Sequence, residues 1–323
     1  MKESVTNGGC MKVYLMLDVG GTNIKAGVLW EDGSLWKEGI LSFDAKSRGS
    51  KEEVFLNFAG VLDALAERLP REEIQIEGIG MAFPGPFDYG QGISLMQGLD
   101  KYDAIYGIPV EKEVRGCFPA MKNGALLRKS RRFVFLHDVE AFAMGESHYG
   151  RGKNCDKVMY LCIGTGAGSA FTLDRKILKG GDGTVPPMGW IYDTPFRDSI
   201  IDDYLSVRGL ASLSGRAFGE AKSGKELFRL CREGNQTALA VYREFGRWLR
   251  EAMIPFLNTF SPDGFVLGGQ LSKSFSFYGE EFSAECRERG TMVFLSEDTS
   301  ESALKGLYVA TVQPRTLHLL QSP

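Results

Sequence analysis

No two of the six cysteines form a C-x-C or C-x-x-C pair. Cys10, Cys117, Cys155, Cys162, Cys231 and Cys286 are scattered, which argues against a metal cluster or a disulfide framework and fits a reducing cytoplasm. No apolar run approaches the roughly 18 residues that a membrane span needs. Neither charge sign dominates: 38 Lys and Arg stand against 41 Asp and Glu, a net charge of −3. No surface for nucleic acid or an anionic membrane is implied. There is no low-complexity tract and no long linker. Met1 to Cys10 is polar, lacks the apolar core of a signal peptide, and is expected to form a disordered leader. What remains is 323 residues, 43% hydrophobic and 24% charged, enough for a sizeable core and roughly two domains.

The first stretch that carries chemistry is Leu15 to Leu29. Val13, Leu15 and Leu17 form an apolar run that stops at Asp18. Gly20 and Gly21 are expected to supply the φ freedom of a tight turn. Ile24, Ala26 and Val28 then alternate with polar or small residues, the period of a strand. The predicted unit is strand, turn, strand, with a carboxylate at its tip. Backbone N–H groups left bare by the glycines, the Thr22 hydroxyl and the Lys25 ammonium suit phosphate oxygens. Asp18 is placed to hold a hydrated Mg²⁺, which takes one or two carboxylates plus phosphates. A plain hairpin with a capping Asp has the same pattern, and short Gly motifs also arise by chance.

Leu35 to Phe43 reads as a continuation of that sheet. Ser50 to Leu69 reads as a helix, with Val54, Phe55, Phe58, Val61, Leu62 and Leu65 at helical spacing. Ile74 to Met81 is a buried strand running into Pro84-Gly85-Pro86-Phe87-Asp88, a rigid loop able to wall a pocket. Phe133 to Leu136 is a strand that ends at His137-Asp138, and Val139 to Ser147 is a helix. Asp138 therefore sits at a strand tip, where open α/β sheets bind ligands. An Asp there also caps the helix, worth about 1 kcal/mol. Val158 to Ile163, the turn Gly164-Thr165-Gly166-Ala167-Gly168-Ser169 and Ala170 to Leu173 repeat the opening design. A dinucleotide fingerprint needs a helix after its glycines, so that reading is set aside. The P-loop near-miss Gly219 to Lys225 has Glu226 where the metal-binding hydroxyl belongs and no strand before it. Thr237 to Phe260 is a long amphipathic helix that Pro255 is expected to bend. Gly264 to Leu267 leads into a third Gly turn at Gly268-Gly269, and Ser302 to Val312 is a last helix.

Together these motifs resemble the ROK family (repressors, open reading frames and sugar kinases) of the actin-like, hexokinase-like ATPase superfamily. Asp18-Val19-Gly20-Gly21-Thr22-Asn23-Ile24-Lys25 is similar to the first phosphate motif, Ile163 to Gly168 to the second, and Val266 to Ser272 to the adenosine motif. Pro84 to Asp88 resembles the loop beside the sugar. His137-Asp138-Val139-Glu140-Ala141 with Gly145-Glu146 resembles the segment that holds the catalytic base. The resemblance implies an α/β fold of two ribonuclease-H-like lobes around a central cleft, about 11–139 with 302–319, and 140–301. It implies an ATP-dependent, glucokinase-like kinase of a hexose or amino sugar, with Asp138 as general base. Asp18 would hold Mg²⁺ through water. Gly20, Gly21, Thr22, Lys25, Gly164, Thr165 and Gly166 would serve the phosphates, and Gly268 and Gly269 the adenosine. Gly85, His137, Asp138, Trp190 and Asp202 would face the sugar. The resemblance also implies a cytoplasmic homodimer.

Departures from the family pattern mark this chain. The usual Glu-x-Gly-His-Met is Pro187-Met188-Gly189-Trp190-Ile191, and Asp193 to Asp203 has no cysteine where a zinc segment belongs. No structural zinc is expected. Asp202 replaces a sugar-binding Glu, His137 an Asn, and Trp190 offers a ring face where a hydrogen bond is usual. These losses keep open an alternative, a sugar sensor that binds without turnover. A DNA-binding repressor is not expected, since only Met1 to Lys12 precedes the first strand.

Overall fold

The computed structural model describes residues 10–70, 74–181 and 183–313. Met1 to Gly9 of the expected leader and 314–319 of the expected first lobe lie outside the described residues. The described residues divide into two compact units, the first built from those up to Gly145 together with Ser300 to Gln313, the second from Glu146–Thr299.

In the first unit, β1 (Met11–Val19), β2 (Asn23–Trp30) and β3 (Leu41–Asp44) form an antiparallel meander. β4 (Ile74–Phe83) and β5 (Arg132–His137) add in parallel on the other side of β1, giving the order β3-β2-β1-β4-β5. The period-two pattern of β1 and β4 splits its side chains between two faces. Leu15, Leu17, Ile79 and Met81 join Val54, Phe58, Leu62 and Leu65 of α1 (Lys51–Glu67) in one core. A Ser50–Glu53 capping box starts α1. The opposite face takes α5 (Thr299–Val312), the last helix. It lies close because β4 offers glycines there: a Cβ on Gly78 would stand 2.3 Å from Thr311 Cγ2, and one on Gly80 3.1 Å from Leu307 Cβ.

The second unit repeats the plan. β6 (Lys157–Ile163), β7 (Ala167–Leu173) and β8 (Lys176–Ile177) are antiparallel, and β9 (Gly264–Gly268) and β10 (Met292–Leu295) extend the sheet in parallel. The order β8-β7-β6-β9-β10 has the same strand senses as the first sheet. Helix α4 (Gln236–Phe260) runs unbroken through Pro255 and places Val241, Phe245, Leu249 and Met253 against Met159, Leu161 and Phe265. All six cysteines are free. Burial pushes the Cys231 and Cys286 thiols up to about 11 and about 12, which leaves them inert core residues.

One expectation is corrected. Leu35 to Phe43 does not continue the sheet as one strand. Leu35 makes only an isolated bridge to Leu29, and the chain turns at Gly39 in a left-handed conformation before β3 begins at Leu41. The compact units divide after Gly145, within α2 (Asp138–His148), which interlocks with α5. A Cβ on Gly306 would lie 1.7 Å from Ala141 O, and one on Gly145 1.8 Å from Ser302 O. The rejected P-loop segment joins two helices: Gly219 is the left-handed C-cap of α3 (Val207–Phe218), and Ser223 caps the next helix.

Candidate active site

The first turn closes differently from expectation. Neither Gly20 nor Gly21 has a positive φ. Glycine is needed at Gly20 for close approach, where a Cβ would stand 2.9 Å from Asn23 O; a Cβ on Gly21 would stand 3.3 Å from Cδ of the flexible Lys101 stem. The Gly20 N–H is not bare; it donates to Asn23 O at 3.0 Å. Gly21 and Thr22 are exposed at the tip. Their carbonyls are tied down behind the turn: Tyr102 donates to Gly20 O at 2.8 Å, Ser47 Oγ to Gly21 O, and the Ala45 N–H to Thr22 O at 2.9 Å. Asp18 pairs in register with Lys25 across the hairpin. The Lys25 ammonium donates to Ser300 Oγ at 2.7 Å, where α5 begins.

Register brings the other predicted residues of this unit to the same sheet edge. Asp18 lies beside Ala82 and Phe83 beside His137, so β1, β4 and β5 end together at their carboxyl edge, where α/β sheets bind ligands. Asp138 opens α2. Its Oδ1 accepts the Val139 N–H at 2.8 Å and lies 3.3 Å from His137 Nδ1. Its side chain is 41% exposed, and Oδ2 has no partner among the described residues. The Pro84 to Asp88 loop stands next to it: a Cβ on Gly85 would be 3.9 Å from His137 Cδ2 and 3.7 Å from Tyr89 Oη. Tyr89 packs edge-on to His137 at 5.9 Å and donates to Phe83 O at 3.0 Å. Burial, with the charges of Asp138 and Glu140, raises its hydroxyl far above the ordinary tyrosine range, so it stays a donor. Sequence reasoning missed Tyr89, whose only signal is an aromatic beside the Pro-Gly-Pro loop.

In the second unit the turn 164–167 is held from one side. Gly164 N–H donates to Gly166 O at 2.9 Å, and Val207 N–H to Gly164 O at 2.8 Å. Asp202 Oδ1 accepts the Ala167 N–H at 2.6 Å, and Oδ2 pairs with Arg208. A Cβ on Gly166 would stand 2.5 Å from Asp202 Oδ1. The carboxylate read as a sugar contact is thus engaged with the second turn, and Thr165 is exposed at the tip. Asp202→Ala is expected to loosen that turn. Losing a charged hydrogen bond of about 1.5–3 kcal/mol should speed amide exchange across residues 164–167 by roughly ten- to a hundredfold in hydrogen-exchange mass spectrometry.

Gly269 is a true left-handed position, at φ +84°, and a Cβ there would come within 2.5 Å of the Ile163 backbone. Only glycine lets the end of β9 lie against the end of β6 in this way. Trp190 follows a segment anchored by Ser169, whose Oγ donates to Gly189 O at 2.7 Å and accepts the Ile191 N–H at 3.0 Å. The Trp190 ring lies 6.2 Å from Tyr192. The stretch Asp193 to Asp203 is held by rings: Phe196 packs on Tyr204 at 5.2 Å, and Tyr204 on Trp248 at 4.8 Å. Glu146, matched only by pattern, is buried. It accepts Ser296 Oγ at 2.6 Å and the Arg151 N–H at 2.7 Å, which fixes the loop after α2.

A model of the family described as "ROK family" matches residues 14–291. The chain belongs to the ROK family. A glucokinase of Thermotoga maritima is 24% identical over 295 residues, covering 84% of this chain and 85% of that protein. An N-acetyl-D-glucosamine kinase of Haemophilus influenzae is 24% identical over 278 residues, covering 80% and 84%. The crystal structure of a ROK hexokinase from Thermus thermophilus superposes with a TM-score of 0.70 at 23% identity, covering 91% of this chain and 96% of that one. This ROK protein therefore has the actin-like ATPase fold.

Proposed function

We propose that this ROK protein is an ATP-dependent kinase of a hexose or amino sugar, with Asp138 as general base. The single observation that carries the reading is Asp138 itself. It sits at the carboxyl edge of its sheet with Oδ1 committed to Val139 N–H and His137, which leaves Oδ2 for a hydroxyl. Relatives named glucokinase and N-acetyl-D-glucosamine kinase support the same reading.

In this reading the sugar hydroxyl donates to Asp138 Oδ2 while its oxygen approaches the γ-phosphorus. The new O–P bond forms as the bond to the β-phosphate bridging oxygen breaks, ADP leaves, and the hydroxyl proton passes to Asp138. In a loose transition state the proton leaves late, so an ordinary carboxylate suffices. Backbone N–H groups and hydroxyls at Gly21-Thr22 and Thr165 serve the phosphates, and the Gly268-Gly269 backbone serves the adenosine. Gly85, His137 and Trp190 contact the sugar. Among the described residues no group of three or more His, Cys, Asp and Glu could hold a metal. Asp18, at the carboxyl edge of β1, is the carboxylate that would hold through water a Mg²⁺ arriving with nucleotide. Bound there, Mg²⁺ would neutralise phosphate charge.

The test is coupled ADP release with Mg-ATP across glucose, mannose, fructose, allose, N-acetylglucosamine, N-acetylmannosamine and a β-glucoside, beside a blank without sugar. Release with one of these sugars well above the blank is expected. Release equal to the blank for all of them, with nucleotide still binding, would replace this reading with the sugar sensor.

A further inference from the structure

After Trp190 the chain folds back on itself in the second unit. A short hairpin pairs Pro195–Phe196 with Ser199–Ile200 across the loop Arg197-Asp198, and the helical turn Ile201–Tyr204 follows at once. This segment cradles the turn 164–167. Asp202 Oδ1 accepts the Ala167 N–H at 2.6 Å, and Val207 N–H donates to Gly164 O at 2.8 Å. Ile201 and Leu205 are buried and fix the inner side of the segment. Its outer side meets α4 through Arg197. The guanidinium donates to Glu251 Oε2 at 2.6 Å. It also lies over three rings, 5.5 Å from the centre of Phe196, 6.0 Å from Tyr204 and 5.4 Å from Trp248, within the roughly 6 Å reach of cation–π attraction.

The backbone of Arg197 is left-handed, with φ of 58°. Hairpin loops of this length favour Gly, Asn or Asp at such a position, so an arginine there must be held by its side chain. The partners of that side chain are themselves fixed. Trp248 is buried, and its Nε1 donates to Glu244 Oε1 at 2.9 Å. The Tyr204 ring stands edge-on to both Phe196 and Trp248, and its hydroxyl donates to Asp198. Arg216, near the end of α3, lies 5.6 Å from the same indole. A planar guanidinium can stack on rings and pair with a carboxylate at once. Arg197 therefore ties the hairpin loop and the ring of Tyr204 to α4, on either side of Asp202 in the chain.

We propose that Arg197 is a positioning residue: from α4, through the ring stack and Asp202, it holds the turn 164–167 in place. The proposal rests on the kinase reading only for what that turn serves. Arg197→Ala and Arg197→Gly are compared with wild type by hydrogen-exchange mass spectrometry. Both remove the guanidinium, but only glycine also relieves the left-handed backbone. In both variants the amides of 164–167 and 201–205 are expected to exchange about three- to tenfold faster, the scale of a cation–π contact, with β9 within about twofold of wild type. A role confined to the hairpin loop predicts the opposite for Arg197→Gly, exchange at 164–167 no faster than wild type, and that result overturns the proposal. An equal rise in β9 also overturns it, since Arg197 would then stabilise the whole unit. A loosened turn has to be ordered by its ligand, which weakens apparent binding. The KM for ATP is accordingly expected to rise about threefold or more, with the KM for the sugar within about twofold. Faster exchange with an unchanged ATP KM would leave a structural contact only and refute the positioning. Failure of the kinase reading shows separately, as wild type without sugar-dependent turnover, and Mg-AMPPNP affinity then takes the place of the ATP KM.

Discussion

Asp138→Asn is expected to lower sugar-dependent ADP release by about three orders of magnitude, within the range that a general base contributes, and to leave Mg-AMPPNP affinity within about twofold. Three features make the substitution clean. Asn keeps an Oδ1 that can accept the Val139 N–H, so the bond that starts α2 survives. The side chain is 41% exposed, so losing its charge removes little buried electrostatic energy. Its other oxygen has no partner to orphan among the described residues. The substitution therefore takes away the proton acceptor and little else. Steady-state turnover and nucleotide titration on the same preparation check it. Turnover within tenfold of wild type would remove Asp138 as base, and a matching fall in nucleotide affinity would mean that Asp138 acts through the fold.

Both strand-turn-strand units were legible in the sequence, because a period of two, broken by Gly and Thr and then resumed, has few structural solutions. The position of Asp138 between a strand and a helix was legible for a related reason: an apolar strand stops before it and a helical pattern begins there. The roles of individual glycines were not. Gly20 and Gly21 have the composition of a left-handed turn, yet neither has a positive φ, and what excludes a side chain at Gly20 is the Asn23 carbonyl. The contact of the Lys25 ammonium with Ser300, across nearly the whole chain, was not legible either. Asp202 read as a sugar contact because its position in the pattern suggested one. Its engagement with Ala167 and Arg208 depends on how the chain folds back 35 residues later. Local periodicity is written in the sequence, whereas the partner of a polar group is decided by topology.

The second large effect is expected far from any ligand. Gly306→Ala should destabilise the protein by about 3 kcal/mol or more, the scale of an overpacked core that cannot relax. That lowers the melting temperature by roughly 10 °C for a unit of this size. Two terms oppose each other. Alanine is a better helix residue than glycine by about 1 kcal/mol, and Gly306 lies inside α5. Against this, the new Cβ would stand 1.7 Å from Ala141 O and 2.9 Å from Gly145 N. These atoms are backbone of α2, so no rotamer change can make room, and the clash wins. Gly60→Ala is the control. Gly60 lies inside α1, and a Cβ there meets nothing within 4 Å. That substitution should stabilise by about 0.5–1 kcal/mol, since only the helix term acts. The two melts should therefore move in opposite directions, and a stabilised Gly306→Ala would refute the interlock of α2 with α5. The same substitution reaches the chemistry, because α2 begins at Asp138. Parting the two helices displaces the carboxylate from the sheet edge, so turnover should fall well below wild type even at temperatures where Gly306→Ala remains folded, while Mg-AMPPNP affinity holds.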